Sequence, residues 1–395
     1  MAFATSDQTE LRYIKETNWG TTPTTGNLTV LRYKGESLNA NIETTVSEEI
    51  RADRATADLT PVGQSAGGSV DFELSFGAFD DLIEGALFSS FSADLNIVGV
   101  AGDITADSAA SKFTSTTTTK FDSITVGQWI EVRGFTANSG ENNGYYRVVA
   151  ATPGTGEITV SPAPKSTETP AGTAAEIHGQ MLRNGVTPQS FTLQKRFLDA
   201  TPVTYQNFAG SMVSGMTLSY EVGSILTGSF EFLCKEGLMT TTALPGLTDT
   251  PAPSNEVLNA VSNLTDIRVN DTVSSKSFLT LGLEIGNNLR GQKAIGSLAN
   301  VGVGAGKLDV SGPISVYFQD KTEFDLFSAG TAFSLSFRLQ DSAGNAYIFT
   351  FPRVKYESLT VAASGQNNDL LAEGQWRAIL DPVTSAMVQI DKFVA

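Results

Sequence analysis

The chain has 395 residues, with 26 Lys or Arg against 42 Asp or Glu and a formal net charge of −16. That balance argues against a nucleic-acid binder, which needs a basic footprint to neutralise phosphates, and no apolar run approaches the roughly 20 residues of a membrane span. One cysteine, Cys234, excludes an intrachain disulfide and any cysteine-based zinc cluster, while abundant Gly, Thr and Phe with few helical patterns place the fold in the mainly β class.

From the N-terminus, Asp7, Glu10, Arg12, Lys15 and Glu16 interleave with apolar residues. This differs from the basic-then-apolar layout of a signal peptide, so the protein is expected to start in a cytoplasm. Strands are expected at Leu28 to Tyr33 and Ser37 to Ile42. The polar stretch Glu43 to Gly68 then reads as a long loop, and the mixed charges Glu48, Glu49, Arg51, Asp53 and Arg54 suit a docking arm better than a flexible tether.

Ser69 to Phe76 alternates strictly, with Val70, Phe72, Leu74 and Phe76 on one face and Asp71, Glu73 and Ser75 on the other, as in a half-buried strand. Phe79, Leu82, Ile83, Ala86 and Leu87 follow at helical spacing, with Asp80 and Asp81 in the first turn, where the helix dipole favours them. Between about Phe91 and Gln180 the pattern changes to short strands separated by turn signals such as Asn142-Asn143-Gly144 and Pro153-Gly154. This segment reads as a small β-domain, inserted at an exposed loop tip, projecting outward and dispensable for folding.

Strands resume at Ser190 to Phe197, Val203 to Phe208, Met216 to Val222 and Leu226 to Leu233. Leu244 to Ser254, with Pro245, Pro251 and Pro253, reads as a linker. Beyond it Leu279, Leu281, Leu283 and Ile285 alternate with Thr280, Gly282 and Glu284, and the Gly-rich Gly286 to Gly306 stands where the first half has its polar loop.

Ser190 to Ser219 and Ala332 to Val361 align at constant spacing. Phe191 falls on Phe333, Leu193 on Leu335, Arg196 on Arg338, Asp199 on Asp341 and Tyr205 on Tyr347. Upstream of each copy lies an alternating strand running into a helical stretch, Ser69 to Phe88 in one and Pro313 to Phe327 in the other. The preserved order points to a duplicated β-rich unit. Residues 1–90 with 181–250 form the first copy, 91–180 the insertion and 255–395 the second copy.

Catalytic chemistry finds little support. The one histidine, His178, lies in the insertion, so every Ser-His-Asp or Cys-His arrangement would have to converge on it. Gly302, Gly304 and Gly306 before Lys307 miss the phosphate-loop spacing and lack a following helix. No catalytic, cofactor-binding or metal residue is expected, and solvated strand faces account for the carboxylates.

The segments YIKETNWGTTP, LRYKGESL, EEIRADRATADL, SAGGSVDFELSFGAFDDLI and FAGSMVSGMTLSYEVGSILTGSFEF together resemble the tail tube proteins of long-tailed bacteriophages, in particular those with two tube domains in one chain. The resemblance covers most of the chain outside the insertion, and the inserted GQWIEVRGF and NNGYYRV segments are similar to small β modules of phage tails. It implies tube domains of sandwich or barrel type, each with one packed helix and a curved sheet in a ring, stacking through long loops, and a duplicated chain closing as a trimer with pseudo-hexameric symmetry. It also implies a virion location and partners that are other copies and other tail proteins such as the tape measure and terminator, with DNA passing without specific binding and no membrane. The charged loop would then join rings, and the acidic strand faces carrying Asp71, Glu73, Glu221, Glu231 and Glu284 would line the channel. Competing readings are a virion carbohydrate-binding or adhesion protein, which should cluster exposed aromatics where Trp19, Trp129 and Trp376 are scattered, and a polysaccharide-cleaving enzyme, for which no carboxylate constellation stands out.

Overall fold

The computed structural model describes residues 4–170, 174–363 and 365–395. The first part contains β1 (Thr9–Lys15), β2 (Gly26–Val30), β3 (Gly35–Glu36), β4 (Asn39–Val46), β5 (Leu59–Glu73) and helix α1 (Asp80–Leu87). Short strands follow: β6 (Ile97–Val98), β7 (Ile104–Asp107), β8 (Lys112–Ser115), β9 (Trp129–Arg133), β10 (Gly144–Thr152), β11 (Glu157–Ser161) and β12 (Glu176–His178). Then come β13 (Gln180–Arg183), β14 (Phe191–Phe197), β15 (Thr204–Glu221), β16 (Thr227–Cys234), β17 (Glu236–Thr240) and β18 (Leu247–Thr250). The last part contains β19 (Leu264–Val269), β20 (Thr272–Val273), β21 (Phe278–Gly286), β22 (Arg290–Gln292), β23 (Gly302–Gly304), β24 (Asp309–Tyr317), α2 (Thr322–Ser328), β25 (Phe333–Gln340), β26 (Ala346–Ala362), β27 (Leu371–Ala378) and β28 (Gln389–Phe393).

One antiparallel sheet runs through both halves. β3 and β4 pair with β5, β5 with β16, β16 with the C-terminal half of β15, that half with β21, and the order continues through β24 and β27 to the C-terminal half of β26. With β3 and β4 taken as one interrupted edge strand, this is an eight-stranded sheet made of two similar quartets. On one face Val70, Phe230, Met216, Ile285 and Val310 stand opposite one another in a row, all buried. Each such side chain contributes about 1.5–3 kcal/mol by leaving water. Helix α1 lays Leu82, Ile83, Ala86 and Leu87 into this core, and Phe79 at its start sits 4.3 Å from the Phe72 ring and 6.1 Å from Phe230. Gly228 makes room for Phe72: a Cβ there would lie 2.4 Å from the ring tip.

The flanking sheets share this core. β15 and β26 are long bent strands whose N-terminal halves pair with β14 and β25 and whose C-terminal halves enter the eight-stranded sheet, with register shifts at Val213/Gly215 and Tyr356/Ser358. What the sequence suggests are two strands, Val203 to Phe208 and Met216 to Val222, are therefore one 18-residue strand. The bulge breaks the alternation because the strand changes sheets there. The hairpins also show that Tyr205 matches Ile348 and not Tyr347, since Arg196 pairs with Tyr205 and Arg338 with Ile348; the second hairpin is one residue longer.

Two further expectations are revised. Much of Glu43 to Gly68 is strand, because β4 and β5 form a long hairpin and only 47–58 is its tip. Residues 41–46 and 59–62 are exposed on both faces, so the arm carries no alternating pattern to reveal it. The Pro-flanked linker Leu244 to Ser254 contains β18, which pairs in parallel with β2.

Strands β6 to β12 form a separate seven-stranded sheet with its own core, including Phe113, Ile130, Val132, Val148 and Ile158. This sheet is docked on the last part of the chain. Trp129 packs against Ala346, Ile348 and Phe393 and donates its Nε1–H to Thr350 Oγ1 at 3.0 Å, and Arg147 pairs with Asp271.

Candidate assembly surfaces

The second face of the eight-stranded sheet is polar. Strand register sets Asp71, Ser229, Thr217, Glu284, Ser311, Arg377 and Lys355 in one row across it. A second row on this face, two rows along, carries Glu221, Thr280, Ser315, Glu373 and Thr360, while Glu231 stands opposite Ser69 and Gly215, and Glu73 opposite Thr227. Asp71, Glu73, Glu221, Glu231 and Glu284 thus share one face, all exposed except the half-buried Glu73. Ser229 Oγ donates to Asp71 Oδ1 at 2.6 Å. The same face holds charges that the sequence reading missed. Arg377 joins Asp309 and, at 3.0 Å, Glu357, with Glu373 two residues before Gln375 on the same strand. The alternation of Glu373, Gln375 and Arg377 with the buried Ala372 and Trp376 was the available signal.

The β4–β5 arm presents the second surface. Glu48, Glu49, Arg51, Asp53 and Arg54 all lie in its exposed tip, outside the strands. Arg51 and Asp53 pair at 2.8 Å, and that hydrogen bond lowers the Asp53 pKa. Two-stranded ribbons are marginal alone in water, yet this one also exposes Ile42, Val46, Ile50, Leu59 and Val62. Such a concentration of exposed apolar side chains makes the arm a candidate contact surface.

The corresponding β21–β24 connection is a shorter arm containing the β22–β23 ribbon. The spacing that sets Asn39 on Glu284 sets Ile50 on Ile295, and both are fully exposed, at 99% and 107%. The two connections differ in charge but share an apolar tip. Glu43 and Lys293 link them at 2.6 Å.

The third surface is the pair of sheet edges. Among the described residues no strand pairs with the outer side of β3–β4 or of the C-terminal half of β26. Ser37 N–H donates to Ser69 O at 2.9 Å, so the backbone groups of Leu38 point away from β5. Side chains take them: Leu38 N–H donates to Glu36 Oε2 at 2.8 Å, Leu38 O accepts from Lys195 Nζ at 2.5 Å, and Lys195 pairs with Glu36 at 2.7 Å. Ala40 N–H donates to Asn39 Oδ1 at 2.8 Å.

Residues with catalytic potential stand apart from one another. His178 lies 3.3 Å from both Asp94 and Glu176 at the margin of the inserted sheet. Cys234 is buried, its thiol pushed up to about 12 by burial, and accepts a hydrogen bond from Ser211 Oγ at 3.0 Å. Gly302 and Gly304 belong to β23 and are followed by strand, not helix. No group of three His, Cys, Asp or Glu side chains suited to a metal occurs among the described residues.

A mainly β scaffold whose distinctive features are a charged sheet face, apolar arms and guarded edges defines a structural protein. The description of the phage tail tube protein family matches residues 6–378, and the chain belongs to that family. It is a structural component of the bacteriophage tail, self-assembling with other tail proteins, and its family is not one of enzymes. No curated protein matches the chain.

Proposed function

We propose that three copies close a pseudo-hexameric ring and that rings stack into the conduit through which the genome leaves a long flexible tail. The observation that carries this reading is the eight-stranded sheet itself, in which two four-stranded units already stand side by side with matching faces. Three such sheets supply about 24 strands, and at ~4.8 Å spacing and a tilt near 40° they enclose a backbone diameter of roughly 48 Å. Side chains on that wall leave room for duplex DNA. Residues 1–90 with 181–250 and residues 255–395 act as the two tube domains, and 91–180 projects outward.

In this ring the apolar face turns toward α1 and the acidic face carrying Asp71, Glu73, Glu221, Glu231 and Glu284 turns to the lumen. DNA carries about one charge per 1.7 Å, so a carboxylate lining repels it and keeps it moving. The tip residues Glu48, Glu49, Arg51, Asp53 and Arg54 contact the next ring. Assembly takes place in the host cytoplasm, with the tape measure inside the tube and a terminator at its end. The adhesion reading is disfavoured by Trp129 and Trp376, which are buried and offer no aromatic platform. Negative-stain microscopy of the purified protein tests the proposal: rings or tubes are expected, and isolated globules at all concentrations and salts would overturn it.

A further inference from the structure

The chain contains one example of a junction between its two four-stranded units, where β15 meets β21. There Met216 stands opposite Ile285, Thr217 opposite Glu284, Leu218 opposite Leu283 and Ser219 opposite Gly282. The bonds Val222 N–H to Leu279 O (3.1 Å) and Asn287 N–H to Ser214 O (2.9 Å) fix Leu218 and Leu283 as a pair that exchanges hydrogen bonds. Thr217 and Glu284 are then a non-hydrogen-bonded pair.

Each strand of this junction has a counterpart at a free edge. In the β15–β16 ladder the shift at Gly215 is followed by Met216 to Ser219, and in the β26–β27 ladder the shift at Ser358 is followed by Leu359 to Ala362. On the other side, β5 and β24 correspond through their pairings with β16 and β27, which sets Asn39 on Glu284 and Leu38 on Leu283. Leu38 and Leu283 are both buried.

We infer that the β3–β4 edge receives the C-terminal half of β26 from a second copy, in the register of the internal junction: Leu359 opposite Ala40, Thr360 opposite Asn39, Val361 opposite Leu38 and Ala362 opposite Ser37. The inference rests on the ring reading above and specifies how the ring closes. The occupant is another copy because the missing neighbour of β3–β4 corresponds to β15, and the strand equivalent to β15 with a free side is β26. In the single chain the side chains of Glu36, Lys195 and Asn39 satisfy backbone groups that Leu283 and Ile285 instead offer to β15. That arrangement guards the edge against indiscriminate pairing. Val361 displaces Glu36 and Lys195 from Leu38, and the two released side chains remain a neutral pair.

Cysteine cross-linking of the full chain tests the register. Thr360→Cys with Asn39→Cys, and separately Ala362→Cys with Ser37→Cys, place thiols on exposed positions within disulfide reach for paired strands. Thr217→Cys with Glu284→Cys reports oxidation at the internal junction, and the slipped pair Thr360→Cys with Asn41→Cys reports the wrong register. Cys234 is buried in the chain. Oxidised rings of either in-register variant are expected to give covalent dimers and closed trimers on non-reducing gels, at least tenfold above the slipped pair. Preferential linkage of the slipped pair would overturn the register. So would intact rings in which the internal pair oxidises and neither in-register pair does, and both results leave the ring reading standing. Monomers by light scattering for wild type and every variant would overturn both.

Discussion

Replacing Trp129 by Ala removes a buried side chain that anchors the inserted sheet to the rest of the molecule. The indole is buried against Ala346, Ile348 and Phe393 and hydrogen-bonded to Thr350, with the Arg268 guanidinium carbon 5.6 Å from the ring centroid. Truncating such a residue costs about 3–5 kcal/mol, and loss of the hydrogen bond adds about 1 kcal/mol. At ~1.4 kcal/mol per decade, docking weakens by roughly a thousandfold or more. The amide of residue 129, which donates to Asp391 Oδ1 at 3.3 Å, reports the undocking directly. Hydrogen exchange there is expected to accelerate about a thousandfold in Trp129→Ala and about tenfold in Trp129→Phe, which keeps most of the volume. Exchange in Trp129→Ala within tenfold of wild type would refute the reasoning. The same contacts revise the expectation that residues 91–180 can simply be deleted. Deletion uncovers Ile348 and Phe393, so a shortened chain needs polar substitutions at both to stay soluble.

Arg51→Glu with Arg54→Glu is expected to change stability by less than ~0.5 kcal/mol, since these are surface positions, while shortening tubes in electron micrographs; unchanged tube lengths count against the arm as the ring contact. Lysine at Asp71, Glu221, Glu231 and Glu284 together should still permit tubes but retain duplex DNA in a salt-sensitive manner, and a variant that retains none argues that this face is not the lumen. Asp391 is wholly buried and its pKa is pushed up to about 8, chiefly by burial, against the opposing hydrogen bonds from Gln389 and Trp129 and the charges of Arg183 and Arg147. A raised carboxyl pKa adds stability fully present below the ordinary carboxylate range and lost as pH rises through about 8; the melting temperature should therefore fall between pH 5 and 9 in wild type and lose that slope in Asp391→Asn.

What could be read from the residues followed the physics of one-sided burial. Val70, Phe72 and Leu74 against Asp71 and Glu73, and Leu281, Leu283 and Ile285 against Glu284, announce strands with one wet face, and α1 is marked by its apolar spacing. Beyond Ile42 the β4–β5 arm was illegible as strand because it buries neither face within the chain, and its apolar residues Val46, Leu59 and Val62 are too sparse to form an alternating run. β15 hid its continuity because it changes sheets at a bulge, which shifts the phase of the pattern. β18 lies among prolines and pairs in parallel with a strand far away in sequence, a contact no local pattern encodes. The role of Trp129 depends on Ile348 and Phe393 being brought together from the far end of the chain. Glu36 and Lys195 likewise meet only once β3 lies near β14.

A density map of assembled tubes viewed down the axis tests the central claim most directly. It is predicted to show three chains per ring, a continuous inner wall of about 24 strands and the side chains of Asp71, Glu73, Glu221, Glu231 and Glu284 pointing into the channel. A wall broken between chains, or these carboxylates on the outer surface, would contradict it.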